Sequence, residues 1–119
     1  MTSTMKRKLS VEAQKEQRRQ EGEAWRTIRQ RIGLTLREAA GMVGHDYMTL
    51  WRWEAGALRI PAWLRDLVVR VHGDVTEKAV DGLADRLRES WRAWLDGGRD
   101  PARSLHPRYL LLAALMRTL

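Results

Sequence analysis

The sequence predicts an all-α fold, and three observations carry that expectation. Helix-forming residues dominate the 119 positions, and no segment alternates apolar and polar β-branched residues as a half-buried strand would. Apolar residues recur instead at spacings of three and four, the repeat of a helix face. Between such segments stand glycines and prolines suited to ending or opening helices, notably Gly33, Gly44, Gly56, Pro61 and Pro107. A chain of this length fits one small domain of ~100–150 residues with tails, so there is room for one modest core. Phenylalanine is absent, and the six tryptophans at 25, 51, 53, 63, 91 and 94 supply most of the aromatic bulk.

Taken in order, residues 1–9 read as a mobile basic arm, with Lys6, Arg7 and Lys8 ahead of Leu9. Ser10 is placed to cap a polar helix over Val11–Gln20. Gly22 weakens that helix, which either runs on or splits before Ala24. Trp25, Ile28 and Ile32 share one helical face, and Gly33 ends the segment. Thr35 and Glu38 have the spacing of a capping box, in which each side chain satisfies a free backbone N–H of the other, so a helix starts near Leu36. It should stop at Gly44, since glycine enters the left-handed conformation without a Cβ clash. Asp46 then caps a second helix, Tyr47–Glu54, with Leu50 and Trp53 on one face and Tyr47, Met48, Trp51 and Arg52 on another.

After the loop 57–60, Pro61 opens a helix that buries Leu64, Leu67, Val68 and Val71. From Thr76 to Leu95 the apolar positions Val80, Leu83, Ala84, Leu87, Trp91, Trp94 and Leu95 predict one amphipathic helix. Its opposite face, with Glu77, Asp81, Asp85, Arg88 and Arg92, reads as a solvated, ion-paired surface. Gly97, Gly98 and Pro101 mark a loop, and Pro107 opens a last helix running to the C-terminus. That helix is apolar nearly all round and must be buried, either against 76–95 of its own chain or against a second copy.

The segment Thr35–Gly56 resembles the helix-turn-helix of the lambda-repressor/Cro-like (XRE-type) regulators. Its small and apolar offsets are filled by Ala39, Ala40, Val43, Gly44, Leu50 and Trp53, and the run Arg52-Trp53-Glu54-Ala55-Gly56 is similar to a frequent ending of that motif. Leu36 stands where many relatives have a phosphate-bracing glutamine, and His45 at a usually apolar turn position. The likeness covers about Ala24–Val71. It implies a lambda-repressor-like helix-turn-helix domain, divided here as a basic arm and leading helix (1–23), a DNA-binding domain (24–73) and a C-terminal helical pair (74–119). Because Leu87, Trp91, Trp94, Leu111, Leu112 and Leu115 exceed what such a core needs, the pair is expected to dimerise.

Charge agrees with a polyanionic partner. The net charge is +7, with six basic against four acidic side chains in 1–23, eight against four in 24–73 and eight against seven in 74–119. Neutralised phosphates release condensed counterions, which is the main source of non-specific affinity for DNA. The chain has no cysteine, which excludes disulfides, zinc-thiolate sites and thiol nucleophiles. Its longest apolar run, Tyr109–Met116, is far short of the ~20 residues of a membrane span. His45, His72 and His106 lack metal-ligand spacing, and no phosphate loop, nucleophile elbow or paired catalytic acid is present. The expectation is a cytoplasmic protein that is not an enzyme, uses no cofactor or metal and avoids the membrane.

The resemblance assigns Tyr47, Met48, Trp51 and Arg52 to base edges, because the start of the second helix enters the major groove. Arg52 suits a bidentate contact to guanine or, equally, a phosphate. Trp51 is suited to a thymine methyl, the core edge or a partner protein. Thr35, Arg37, Thr49 and Arg59 are the candidates for the DNA backbone, with Lys6, Arg7 and Lys8 as a groove-wrapping or merely solvated arm. The expected function is a transcriptional repressor bound as a homodimer to a double-stranded, palindromic operator. The alternative is a protein-interaction module, an antitoxin or a polymerase- or sigma-binding protein, that uses its apolar C-terminus.

Overall fold

The computed structural model describes residues 2–119, with side chains from 10 onward. Among the described residues there are six helices: α1 (Thr2–Ile32), α2 (Leu36–Val43), α3 (Tyr47–Glu54), α4 (Ala62–Val71), α5 (Leu83–Asp96) and α6 (Pro107–Met116). No helix among the described residues is long and apolar enough to cross a membrane.

Backbone 2–9 is not an arm but the opening of α1, and Ser10 lies inside that helix rather than at its cap. The side chains of Lys6, Arg7 and Lys8 fall outside those described. From Ser10 to Gln17 every side chain is exposed, so this part of α1 projects from the body, and Gln17 at its base lines a depression beside Val69 and His72. The 31-residue helix spans about 46 Å at 1.5 Å per residue, which accounts for a molecule 58 Å long and 22 Å thin.

Gly22 neither breaks nor splits α1; it permits a helix contact. A Cβ built there would sit 2.1 Å from the carbonyl oxygen of Trp53, so only glycine lets α1 lie against the end of α3. Below that crossing, Trp25 meets Trp53 edge to face at 6.3 Å, and both rings are fully buried.

The C-terminal half shares the same core. Val75, Val80, Leu83, Leu87, Leu111 and Leu115 join Trp25, Ile28, Leu50, Trp53, Leu64 and Val68 in one buried cluster. Of the two arrangements open for the last helix, the structure takes the fold-back: α6 packs on α5, α4 and α2 of its own chain. Two boundaries also move. Pro61 stands one residue before α4, and α5 starts at Leu83 rather than Thr76. Residues 77–82 form turns instead, because the Thr76 hydroxyl accepts the Ala79 amide at 3.1 Å and Gly82 adopts a left-handed φ of 70° that interrupts a helix. The last helix stops at Met116, three residues before the end of the sequence.

His106 joins the halves. Its Nδ1 accepts the Arg108 backbone amide at 3.2 Å and so caps α6. Its ring sits 5.7 Å from Trp91 and 5.2 Å from Trp94 and lies over the Gly44 turn. Burial and the nearby Arg108 hold its pKa below the ordinary histidine value, consistent with a neutral ring that accepts a hydrogen bond.

Candidate nucleic-acid interface

The turn between α2 and α3 is built by local chemistry. The Glu38 amide donates to Thr35 Oγ1 at 3.1 Å and the Thr35 amide to Glu38 Oε1 at 3.0 Å, which completes the capping box. Gly44 ends α2 at φ 80°, where its N–H reaches the carbonyls of Ala40 and Gly41. Asp46 Oδ1 accepts the Thr49 amide at 2.7 Å and caps α3. That bond draws the Asp46 pKa below its usual value. His45 packs its ring edge-on to Trp53 at 5.0 Å, and so fills the turn position by aromatic contact.

α3 is divided as its spacing predicts. Leu50 and Trp53 are fully buried, whereas Tyr47, Met48 and Trp51 are 39%, 49% and 51% exposed, and Arg52 is exposed beside them. Arg52 makes no ion pair among the described residues. Arg37 reaches over from α2 with its guanidinium 4.9 Å from the Tyr47 ring centroid, a cation–π contact that ties the start of α2 to the start of α3. Trp51 and Leu36 line a shallow depression of about 330 Å³ together with Arg26, Arg29, Glu54 and Ala55. Thus Leu36, which replaces a polar residue of the resembled motif, shares an apolar wall with Trp51.

Three arginine arrangements were not visible in the sequence. Arg29 on α1 makes a bidentate ion pair with Glu54 at the end of α3, both bonds at 2.8 Å, and also donates to the Leu34 carbonyl at 3.0 Å. The two side chains are 13% and 10% exposed, so the pair is largely desolvated and fixes the pitch of α3. Arg59 is engaged as well. Its Nε lies 3.2 Å from Oε1 of Glu21, a carboxylate 3% exposed on α1, so the loop arginine offsets a buried charge. Arg26, exposed at the rim of the Trp51 depression, was missed; its signal was an unpaired cation one position past the buried Trp25.

Arg88 is the third. It bonds Glu38 at 2.6 and 3.2 Å and the Gly33 carbonyl at 3.1 Å, which clamps α5 to the start of α2. The Arg88 guanidinium and the Thr35 amide hold the Glu38 carboxyl down from 4.5 to about 2. Since that pKa is depressed in the folded state, Glu38 contributes fully above pH 4.5, and its contribution is lost as pH falls toward about 2. An Arg88→Ala variant is expected to lose less stability than the parent across that interval. Urea unfolding at stepped pH checks this, and parallel curves for the two proteins would contradict it.

The residues assigned to dimerisation divide into two groups. Leu87, Leu111 and Leu115 are fully buried inside the chain, and Trp91, Trp94 and Leu112 are half-buried. The first three therefore present nothing to a second copy in this fold. The outer face of α6 instead exposes Tyr109 and Met116, 48% and 61% respectively. Comparison of the chain with family models, with curated proteins and with solved structures gives no match.

Proposed function

We propose that this chain is a sequence-specific DNA-binding transcriptional repressor, acting in the cytoplasm as a dimer on a palindromic operator in the manner of the lambda-repressor-like regulators it resembles. The observation that carries this reading is the two-faced α3. Its inner face is anchored by Leu50 and Trp53, and its outer face presents Tyr47, Met48, Trp51 and Arg52 at a doubly capped turn. Exposed cations at Arg26, Arg37 and Arg52, none with a carboxylate partner among the described residues, surround that face, which suits a helix that enters the major groove. Half-sites would lie about one helical turn apart, ~34 Å, and occlusion of a promoter is the simplest mode of repression.

Selection of bound duplexes from random DNA tests the reading directly. Within the selected site, Arg52→Ala should relax one base position and weaken specific binding by about 1–3 kcal/mol. Arg37→Ala should weaken selected and random duplexes alike and lower the salt slope by about 0.9. Equal effects of the two substitutions on both kinds of duplex would count against the assignment.

A second reading rests on the α4–α6 surface. Arg108 stacks between Trp63 at 5.8 Å and Tyr109 at 5.2 Å, and exposed Met116 extends the apolar strip. Such a strip suits a protein-interaction module of the antitoxin or polymerase-binding kind. Absence of salt-sensitive DNA binding at low ionic strength would favour it over the repressor.

A further inference from the structure

We infer that α5 carries a second phosphate-binding element, in which Arg92 and Arg37, on opposite sides of the groove between α2 and α5, hold the DNA backbone beside the segment facing α3. The inference rests on the DNA-binding reading above and extends it to a helix that the sequence assigned to dimerisation.

The groove has a volume of about 450 Å³ and is lined by Arg37, Arg88 and Arg92, by the Glu38 carboxylate, and by Met42, Trp91 and Leu95. Its cations are unequal. Arg88 is neutralised by Glu38 at 2.6 Å and by Asp85 at 3.2 Å. Arg37 and Arg92 have no carboxylate partner among the described residues, although Glu89 and Asp96 stand about one turn away from Arg92 on its own helix. Two free cations therefore flank a groove whose internal charges are already paired, and this complementarity selects an anionic occupant.

Position makes that occupant a nucleic-acid backbone. Arg37 belongs to two surfaces at once, since it lines this groove and also stacks on Tyr47 at the start of α3. Arg37 thus connects the surface of α3 with the groove beside α5. Its geometry is fixed: Arg88 clamps α5 to Glu38 and the Gly33 carbonyl, and the Trp91 ring lies so close to Gly41 that an added Cβ would stand 3.0 Å from it. The floor is apolar, formed by buried Met42, half-buried Trp91 and Leu95 at 40% exposure. Sugar edges can lie on such a floor while the phosphates meet the guanidinium groups, which fix register without reading sequence.

The test compares the full chain with Arg92→Ala, Arg92→Lys and Arg86→Ala. Arg86 is a suitable control because it faces a different surface, near Asp74, Ala114 and Arg117. Affinity for the selected duplex, a random duplex and a poly-glutamate peptide is measured over a salt series. Arg92→Ala should weaken both duplexes by the same factor, about fivefold at ~100 mM salt, and reduce the slope of log affinity against log salt by about 0.9. Arg92→Lys should restore that slope, and Arg86→Ala should change neither quantity. An unchanged duplex affinity in Arg92→Ala, or an equal loss in Arg86→Ala, overturns the inference while leaving the DNA-binding reading intact. A loss confined to poly-glutamate would assign the groove to an acidic protein segment and overturn it too. If the unaltered chain binds neither duplex, the DNA-binding reading itself falls, and this inference with it.

Discussion

Gly22→Ala is expected to destabilise the protein by about 1–3 kcal/mol, the cost of overpacking a closed contact. The sign is the diagnostic part. In an ordinary helix interior, replacing glycine by alanine stabilises by about 1 kcal/mol, because alanine has less backbone freedom to lose. Here the new methyl would meet the Trp53 carbonyl oxygen at 2.1 Å, and the atoms it meets are backbone, which cannot swing aside. Either α1 moves off α3 or the end of α3 unwinds, and both outcomes disturb the Trp25–Trp53 contact. Gly73→Ala, in the turn after α4, is the open-space control, since no atom lies within 4 Å of a Cβ there. Urea midpoints of the two variants decide the matter. A Gly22→Ala protein at least as stable as its parent would mean that α1 and α3 are not packed this closely.

The second large effect is expected at the Arg29–Glu54 pair. Removing one partner of a well-buried ion pair typically costs about 3–5 kcal/mol, mainly because the remaining charge is left uncompensated. Both side chains keep a little exposure, so Arg29→Ala should fall near the lower end, about 3 kcal/mol. Arg29→Ala combined with Glu54→Gln should cost less than the sum of the single changes, since no orphan charge then remains. The pair also sets how α3 is presented, because it joins α1 to the last residue of α3 and anchors the Leu34 carbonyl. Under the proposed function, a residual folded fraction of Arg29→Ala should bind its operator less selectively. Additive losses in the cycle would show that the pair does not act as a unit.

The parts legible in the sequence were those coded over a few residues. Thr35 with Glu38, Gly44, and Asp46 with Thr49 all act within four positions, and each took its expected place. The apolar faces of α3 and α4 were equally readable, because helical spacing alone decides which residues turn inward. What escaped depends on partners far along the chain. Gly22 reads only as a weak point of a helix until Trp53 is known to lie on it. Arg59 reads as a free loop cation until Glu21, 38 residues away, is found beneath it. The span of Arg88 to Glu38 is 50 residues, so nothing near Arg88 announces that α5 braces α2. The apolar C-terminus showed that burial was required, but an apolar face does not encode whether its cover comes from the same chain or another.

The projecting first half of α1 also bears on how subunits are counted. A body of 13.8 kDa that is 58 Å long and 22 Å thin diffuses more slowly than a sphere of equal mass. A single chain will therefore elute early from a sizing column, at the position of a heavier compact protein. Light scattering, which weighs particles regardless of outline, is the measurement that tells one elongated subunit from two.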